Sequence, residues 1–332
     1  MGSFYSYIWG LISMKKSYAF LFPGQGAQYV GMGKDFYDQF LEAKEVFQEA
    51  DDILGRSLSK LIFEGPSEEL TLTKNSQPAI FVASLSMLRV LQKQLPGFIP
   101  MVCAGLSLGE YSALVASGKI RFKETMLLVR DRAFYMQEAC EARPGIMRVV
   151  LGLEAGIVEE AIRGLQPQQL VWVANLNCPG QVVIAGTTGG IEAASEVLKD
   201  LGAKRIVPLD VSGAFHSGLM QDAQKQLGKK IEQVPLYESN ISLVMNIPGG
   251  YVKTHLEMRE YLVKQVTGTV RWEQGVRAMV KEGINTFLEI GCGTTLRGMN
   301  KKIGILPEAT LSLEKVADLE ELAKCCEVAC NC

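Results

Sequence analysis

The stretch Gly105-Leu106-Ser107-Leu108-Gly109 constrains this chain more than any other, because it follows the apolar run Met101-Val102-Cys103-Ala104 and leads straight into the helix-like Glu110–Ser117. A strand that turns sharply into a helix strains the residue at the corner, and glycines two before and two after give the neighbouring backbone room. Ser107 then projects its hydroxyl beyond the sheet. The same turn aims amide groups of the helix start at whatever Ser107 attacks, where they can hold a developing oxyanion. The pentapeptide alone is a weak signal in a chain with 33 glycines. Its place between an apolar run and a helical pattern makes it a nucleophile elbow.

A serine hydroxyl needs a base, and histidine is the usual one near neutral pH. The chain has two histidines. His255 has the charged neighbours of a solvated face, near the start of a helix expected over Val252–Val266. His216 ends the strand-like run beginning at Leu209, in Gly213-Ala214-Phe215-His216-Ser217, and a strand-to-helix loop is where open α/β sheets present functional groups. His216 is therefore the expected base; the alternative is a histidine that caps a helix. A second glycine-rich turn, Pro23-Gly24-Gln25-Gly26, ends the apolar strand Tyr18–Phe22. The Gln25 amide there is either a further oxyanion donor or part of an ordinary turn.

At 332 residues the chain is long enough for two domains. Net charge −2 with 21% charged residues gives no polybasic signature, so nucleic acid is not an expected partner. No apolar run reaches the roughly 18 residues of a membrane span. Cys103, Cys140, Cys178 and Cys292 sit in apolar or turn contexts that suit a reducing cytoplasm. Residues 1–16 read as an extension, matching neither a signal peptide nor a span. Met1-Gly2-Ser3-Phe4-Tyr5-Ser6 fits the short myristoylation pattern, the kind of match that usually arises by accident. Residues 321–332 read as a frayed cysteine-rich tail.

The middle of the chain follows a β-α-β-β-α-β order: strands at Met147–Leu153, Leu170–Asn175, Gln181–Gly186 and Arg205–Leu209, helices at Ala155–Gly164 and Gly190–Leu201. That is a ferredoxin-like split unit, here 144–212, inserted into a larger α/β body of mainly parallel sheet formed by 17–143 and 213–320. The active site is then expected in the cleft between them. In the helical stretch Phe122–Glu141, Phe122, Met126, Val129, Ala133, Met136 and Cys140 form a core row. Arg132 interrupts the adjoining row of Leu128, Tyr135 and Ala139. A buried arginine calls for an anionic partner, and its planar fork suits a carboxylate.

Phe22-Pro23-Gly24-Gln25-Gly26-Ala27-Gln28, Gly105-Leu106-Ser107-Leu108-Gly109-Glu110-Tyr111, Arg132 with Met136-Gln137, Asn175-Leu176-Asn177-Cys178-Pro179-Gly180-Gln181 and Gly213-Ala214-Phe215-His216-Ser217 occur in the order found in malonyl-CoA:acyl carrier protein transacylases. The chain resembles that family, whose large subdomain is α/β-hydrolase-like, from about Ser17 to Leu313. The resemblance implies transfer of a malonyl group from malonyl-CoA to the phosphopantetheine thiol of acyl carrier protein in fatty-acid biosynthesis, by a cytoplasmic, monomeric enzyme without a cofactor or metal of its own. Ser107 and His216 would be catalytic, with the amides of Gln25 and Leu108 as oxyanion hole. Arg132 would bind the malonyl carboxylate, and main-chain carbonyls near Gln265 would orient the histidine. Phe215 matches malonyl-selective domains, and the basic pair Lys204 and Arg205 is placed to steer an acidic carrier protein. Three positions depart from the pattern: Leu106 where histidine is common, Arg148 where a small residue is usual, and Cys292 in place of proline. The other readings are a serine hydrolase or thioesterase of α/β-hydrolase type and a trans-acting polyketide acyltransferase. A hydrolase of that type would need an acid between serine and histidine and a histidine nearer the C-terminus.

Overall fold

Tyr18–Phe22 forms strand β1 in a computed structural model that describes residues 17–330. Phe20 and Phe22 pack into one apolar cluster, and Ala19 and Leu21 into another on the opposite face. A strand buried on both faces belongs in the middle of a parallel sheet, where an unbroken apolar run is what the fold requires. β1 lies between β2 (Val102–Gly105) and β9 (Thr286–Ile290), parallel to both. Outside these run β7 (Ser242–Met245) on one side and β10 (Thr310–Leu313) on the other. The short β8 (Gly250–Val252) pairs antiparallel with β7 and closes that edge. The order is therefore β10-β9-β1-β2-β7-β8. Strand order reverses at β1, and in open α/β sheets the crevice at such a point, beyond the carboxyl ends of the strands, is where ligands bind.

A second, four-stranded antiparallel sheet has the order β4-β5-β3-β6, built from β3 (Ile146–Leu151), β4 (Val171–Cys178), β5 (Gln181–Gly186) and β6 (Arg205–Pro208). The helices Ala155–Leu165 and Thr188–Asp200 cover it, and their apolar residues share a separate core with Val150, Leu176 and Ile184. The four-stranded sheet is also bonded at the backbone to Val270, which lies outside the strands of both sheets. Val270 donates to the Ala174 carbonyl at 2.8 Å and accepts from the Leu176 amide at 2.9 Å.

Two local expectations change. The helix expected over Val252–Val266 begins only at His255: Thr254 and Glu257 form a reciprocal capping box, and the residues before them belong to β8 and its exit. At the other end, the helix Val316–Cys330 runs through much of the stretch read as a frayed tail, anchored by buried Leu319 and Leu322. The myristoylation match and the rest of 1–16 lie outside the described residues. Among the described residues no helix is long and apolar enough to cross a membrane.

Candidate active site

Ser107 stands at the turn between β2 and the helix Gly109–Ala116 with φ of 51°. The glycines around it are sterically required. A Cβ on Gly105 would meet the Gly109 carbonyl carbon and oxygen at 2.0 Å, and one on Gly109 would meet the Phe22 carbonyl oxygen at 2.1 Å. The elbow is thus pressed against the end of β1. Among the described residues one other non-glycine position has positive φ, His216 at 55°. Such conformations cost roughly 1–3 kcal/mol each and persist where surrounding contacts over-determine them.

The two strained residues meet. Ser107 Oγ is 2.7 Å from His216 Nε2, and His216 Nδ1 is 2.8 Å from the main-chain carbonyl of Gln265. A carbonyl can only accept, so Nδ1 carries the proton and Nε2 is left to accept one from the serine. His216 is 4% exposed. Burial, and then the Arg132 guanidinium, push its pKa down to about 4 against the pull of the Gln265 and Gly268 carbonyls. The imidazole is neutral near pH 7 and available as a base.

Arg132 lies in the helix Phe122–Ala142 and is 1% exposed. One terminal nitrogen donates to Ser107 Oγ at 3.0 Å and to Gln265 Oε1 at 3.1 Å, while the other donates to Gln77 Oε1. Its guanidinium also lies 5.4 Å from the centre of the Tyr111 ring. These hydrogen-bonding partners are neutral. A fully buried cation therefore sits beside the serine hydroxyl without a directly bonded carboxylate, and burial lowers its pKa.

Ser107 and His216 open on a cleft of about 270 Å³ between the two sheets. Gln25, Leu106 and Phe215 line one side of it, and Met147, Val149, Asn177 and Val183 of the four-stranded sheet line the other. Leu108, the residue before the helix Gly109–Ala116, has its side chain fully buried. Lys204 and Arg205 are exposed at the start of the edge strand β6, outside the cleft. His255 is away from the site, a helix-start residue 3.4 Å from Glu238. Of the departures, Leu106 lines the cleft. Arg148 reaches Ser195 on the covering helix at 3.2 Å. Cys292 is buried, with Sγ 3.2 Å from Met32 Sδ. Among the described residues no group of three or more His, Cys, Asp or Glu side chains is placed to hold a metal ion.

Sequence reasoning missed three residues that hold this arrangement. Asn246, just past β7, accepts from the Ser107 amide at 2.8 Å and donates to the Gly105 carbonyl at 2.7 Å. Glu110 accepts from the Asn246 amide at 2.6 Å and from the Gln265 side chain at 3.0 Å. Gln77 bridges Arg132 and Gln25. A strand-end asparagine, a first-turn acid and a helical glutamine look ordinary in sequence; only their partners, far away in the chain, give them meaning.

A serine paired with a neutral histidine beside a buried cation defines a nucleophilic acyl-transfer site, and the whole-chain comparisons agree. Residues 19–302 match the family model described as an acyl transferase domain, and the chain belongs to that family. The malonyl CoA-acyl carrier protein transacylase of Bacillus subtilis is 44% identical over 286 residues, covering 86% of this chain and 90% of that protein. Its counterpart from Haemophilus influenzae is 38% identical, covering 87% and 92%. Among solved structures, the enzyme from Streptococcus pneumoniae superposes with a TM-score of 0.88 at 40% identity, covering 93% of this chain and 99% of that one. A malonyl-transacylase bound to a type II polyketide acyl carrier protein superposes at 0.87 with 38% identity, covering 92% and 98%.

Proposed function

We propose that this protein transfers the malonyl group from malonyl-CoA to the phosphopantetheine thiol of an acyl carrier protein through a malonyl ester on Ser107, as a cytoplasmic monomer. The observation that carries this reading is the buried Arg132 guanidinium 3.0 Å from Ser107 Oγ. A carboxylate at the far end of a three-carbon acyl group is the anion such a cation lacks, and it would compete for the N–H groups now directed at neutral oxygens.

His216 takes the serine proton at Nε2 as Oγ attacks the thioester carbonyl, and the Gln265 carbonyl stabilises the imidazolium that results. The amides of Gln25 and Leu108 hold the oxyanion. His216 returns the proton to the departing CoA thiolate. In the second half the same histidine deprotonates the carrier's thiol, which attacks the ester and regenerates Ser107. No metal, cofactor or nucleic acid takes part. Phe215 beside the base narrows the space for a branched α-carbon, and Lys204 with Arg205 steers the acidic carrier. The order β4-β5-β3-β6 supports reading 144–212 as a ferredoxin-like unit set into an α/β-hydrolase-like body formed by 17–143 and 213–320.

Intact-mass analysis after mixing with malonyl-CoA, followed by peptide mapping, tests the reading. A malonyl adduct on Ser107 that thiol acceptors remove far faster than water is expected. An adduct on another residue overturns the mechanism, and rapid loss to water alone makes the protein a hydrolase.

A further inference from the structure

Below Ser107 and His216 lies a layer of buried polar groups that never faces the cleft. Glu110, completely buried, occupies the first turn of the helix Gly109–Ala116. An acid there ordinarily favours the positive end of the helix. Glu110 instead directs its two oxygens at donors more than a hundred positions away: Oε2 accepts from the Asn246 amide at 2.6 Å and Oε1 from Gln265 Nε2 at 3.0 Å.

Each of those donors belongs to a residue that holds one member of the reacting pair. Asn246 Oδ1 accepts from the Ser107 amide at 2.8 Å, and the Gln265 carbonyl is 2.8 Å from His216 Nδ1. We propose that Glu110 is the positioning residue of this site, fixing the strained serine turn through Asn246 and the histidine, together with Arg132, through Gln265.

The chemistry of the side chain explains why a carboxylate is needed. Gln265 Nε2 faces three oxygens: Glu110 Oε1 at 3.0 Å, the Ser107 carbonyl at 2.9 Å and Asn246 Oδ1 at 3.3 Å. Surrounded by acceptors, the amide is compelled to turn its NH2 inward, which leaves Oε1 for Arg132 at 3.1 Å. Burial pushes the Glu110 pKa up to about 8 against the pull of the Asn246 amide, the Arg132 charge and the Gln265 side chain. Both carboxyl oxygens nevertheless face N–H donors, and an acceptor at each of these two places is what fixes that orientation. A carboxamide at position 110 carries donors of its own. It would set an NH2 group against either the Asn246 amide or Gln265 Nε2, and the Gln265 side chain would lose its single orientation.

This inference rests on Ser107 and His216 being the reacting pair, so wild-type loading from malonyl-CoA is measured first; absence of a Ser107 adduct overturns both readings. Single-turnover loading, normalised to folded protein by circular dichroism, is then followed in Glu110→Gln, Asn246→Ala and the double variant. Glu110→Gln is expected to slow loading about 100-fold with the KM for malonyl-CoA within about threefold of wild type, the split that misplaced reacting groups produce. Asn246→Ala, which keeps its main-chain N–H for Glu110, is expected to slow loading by a similar factor. The double variant should be little slower than either single one, because both act on the same turn. Wild-type loading per folded molecule in Glu110→Gln, or multiplication of the two losses in the double variant, overturns the inference. Should Glu110→Gln fail to fold, wild-type loading by Asn246→Ala overturns it equally.

Discussion

On one wall of the cleft the proposed reacting groups stand on strained turns: Ser107 and His216 both have positive φ, and both are held by hydrogen bonds from distant segments. On the opposite wall Met147, Val149 and Val183 stand on regular antiparallel strands, and simple alternation turns them to the cleft while Val150 and Val182 face their own core. The difference follows from the demands on each side. Proton transfer requires atoms placed to within fractions of an ångström, which a turn achieves only when many contacts over-determine it. A wall that supplies shape and an apolar surface needs only a strand with the right period.

The largest effect should come from breaking the strained wall. His216→Ala is expected to lower malonyl loading by about three to four orders of magnitude, while His255→Ala changes little; stopped-flow release of CoA measures both. Equal losses would show that the strained histidine has no special role. Next, Arg132→Ala should reduce malonyl loading about 100- to 1,000-fold and raise loading of acetyl or longer neutral acyl groups, scored by competition between thioesters in the same tube. Comparable loading of acetyl and malonyl by the wild type would make Arg132 a structural charge.

The pH dependence sharpens the same contrast. With its pKa pushed down to about 4, His216 stays neutral as pH falls from 7 to 5. Loading at pH 5 should therefore stay within about threefold of its value at pH 7, whereas a histidine titrating at its ordinary 6.5 would lose about 25-fold. Since the Arg132 charge contributes to the depression, the acid limb should move upward in Arg132→Ala. The smallest effect belongs to the small unit. Exchanging Lys204 and Arg205 for Glu should raise the KM for carrier protein about three- to tenfold and leave Ser107 loading intact, and added salt should erase the difference. An unchanged KM at low salt dismisses the pair as a docking site.

What could be read from the sequence divides along the same line. β1, the core row of Phe122–Ala142 and the strand and helix order of the small unit follow from periodicity, which lies within any short window of residues. The serine turn could be found because its glycines are local necessities. Asn246 and Glu110 could not, since the bond between them closes across 136 positions and no local pattern encodes it. The start of the helix His255–Gln265 was legible and misplaced: Thr254-His255-Leu256-Glu257 is a capping-box pattern, and read as such it sets the boundary. β8 is three residues long on a sheet edge, too short for any alternation to register.

The backbone bonds between Val270 and β4 bear on how the substrates arrive. Val270 is hydrogen-bonded to Ala174 and Leu176, and Thr269 Oγ1 donates to the Val173 carbonyl at 2.7 Å. The same segment, a few residues earlier, supplies the Gln265 carbonyl that holds His216. Swinging the small unit outward as a lid would strain the mounting of the base itself. These bonds tie the spacing of the two walls to the seat of His216, and a thin pantetheine arm would thread the gap lengthwise. Donor and acceptor, which both end in that arm, then have to occupy the same slot in turn, the first vacating it before the second can enter.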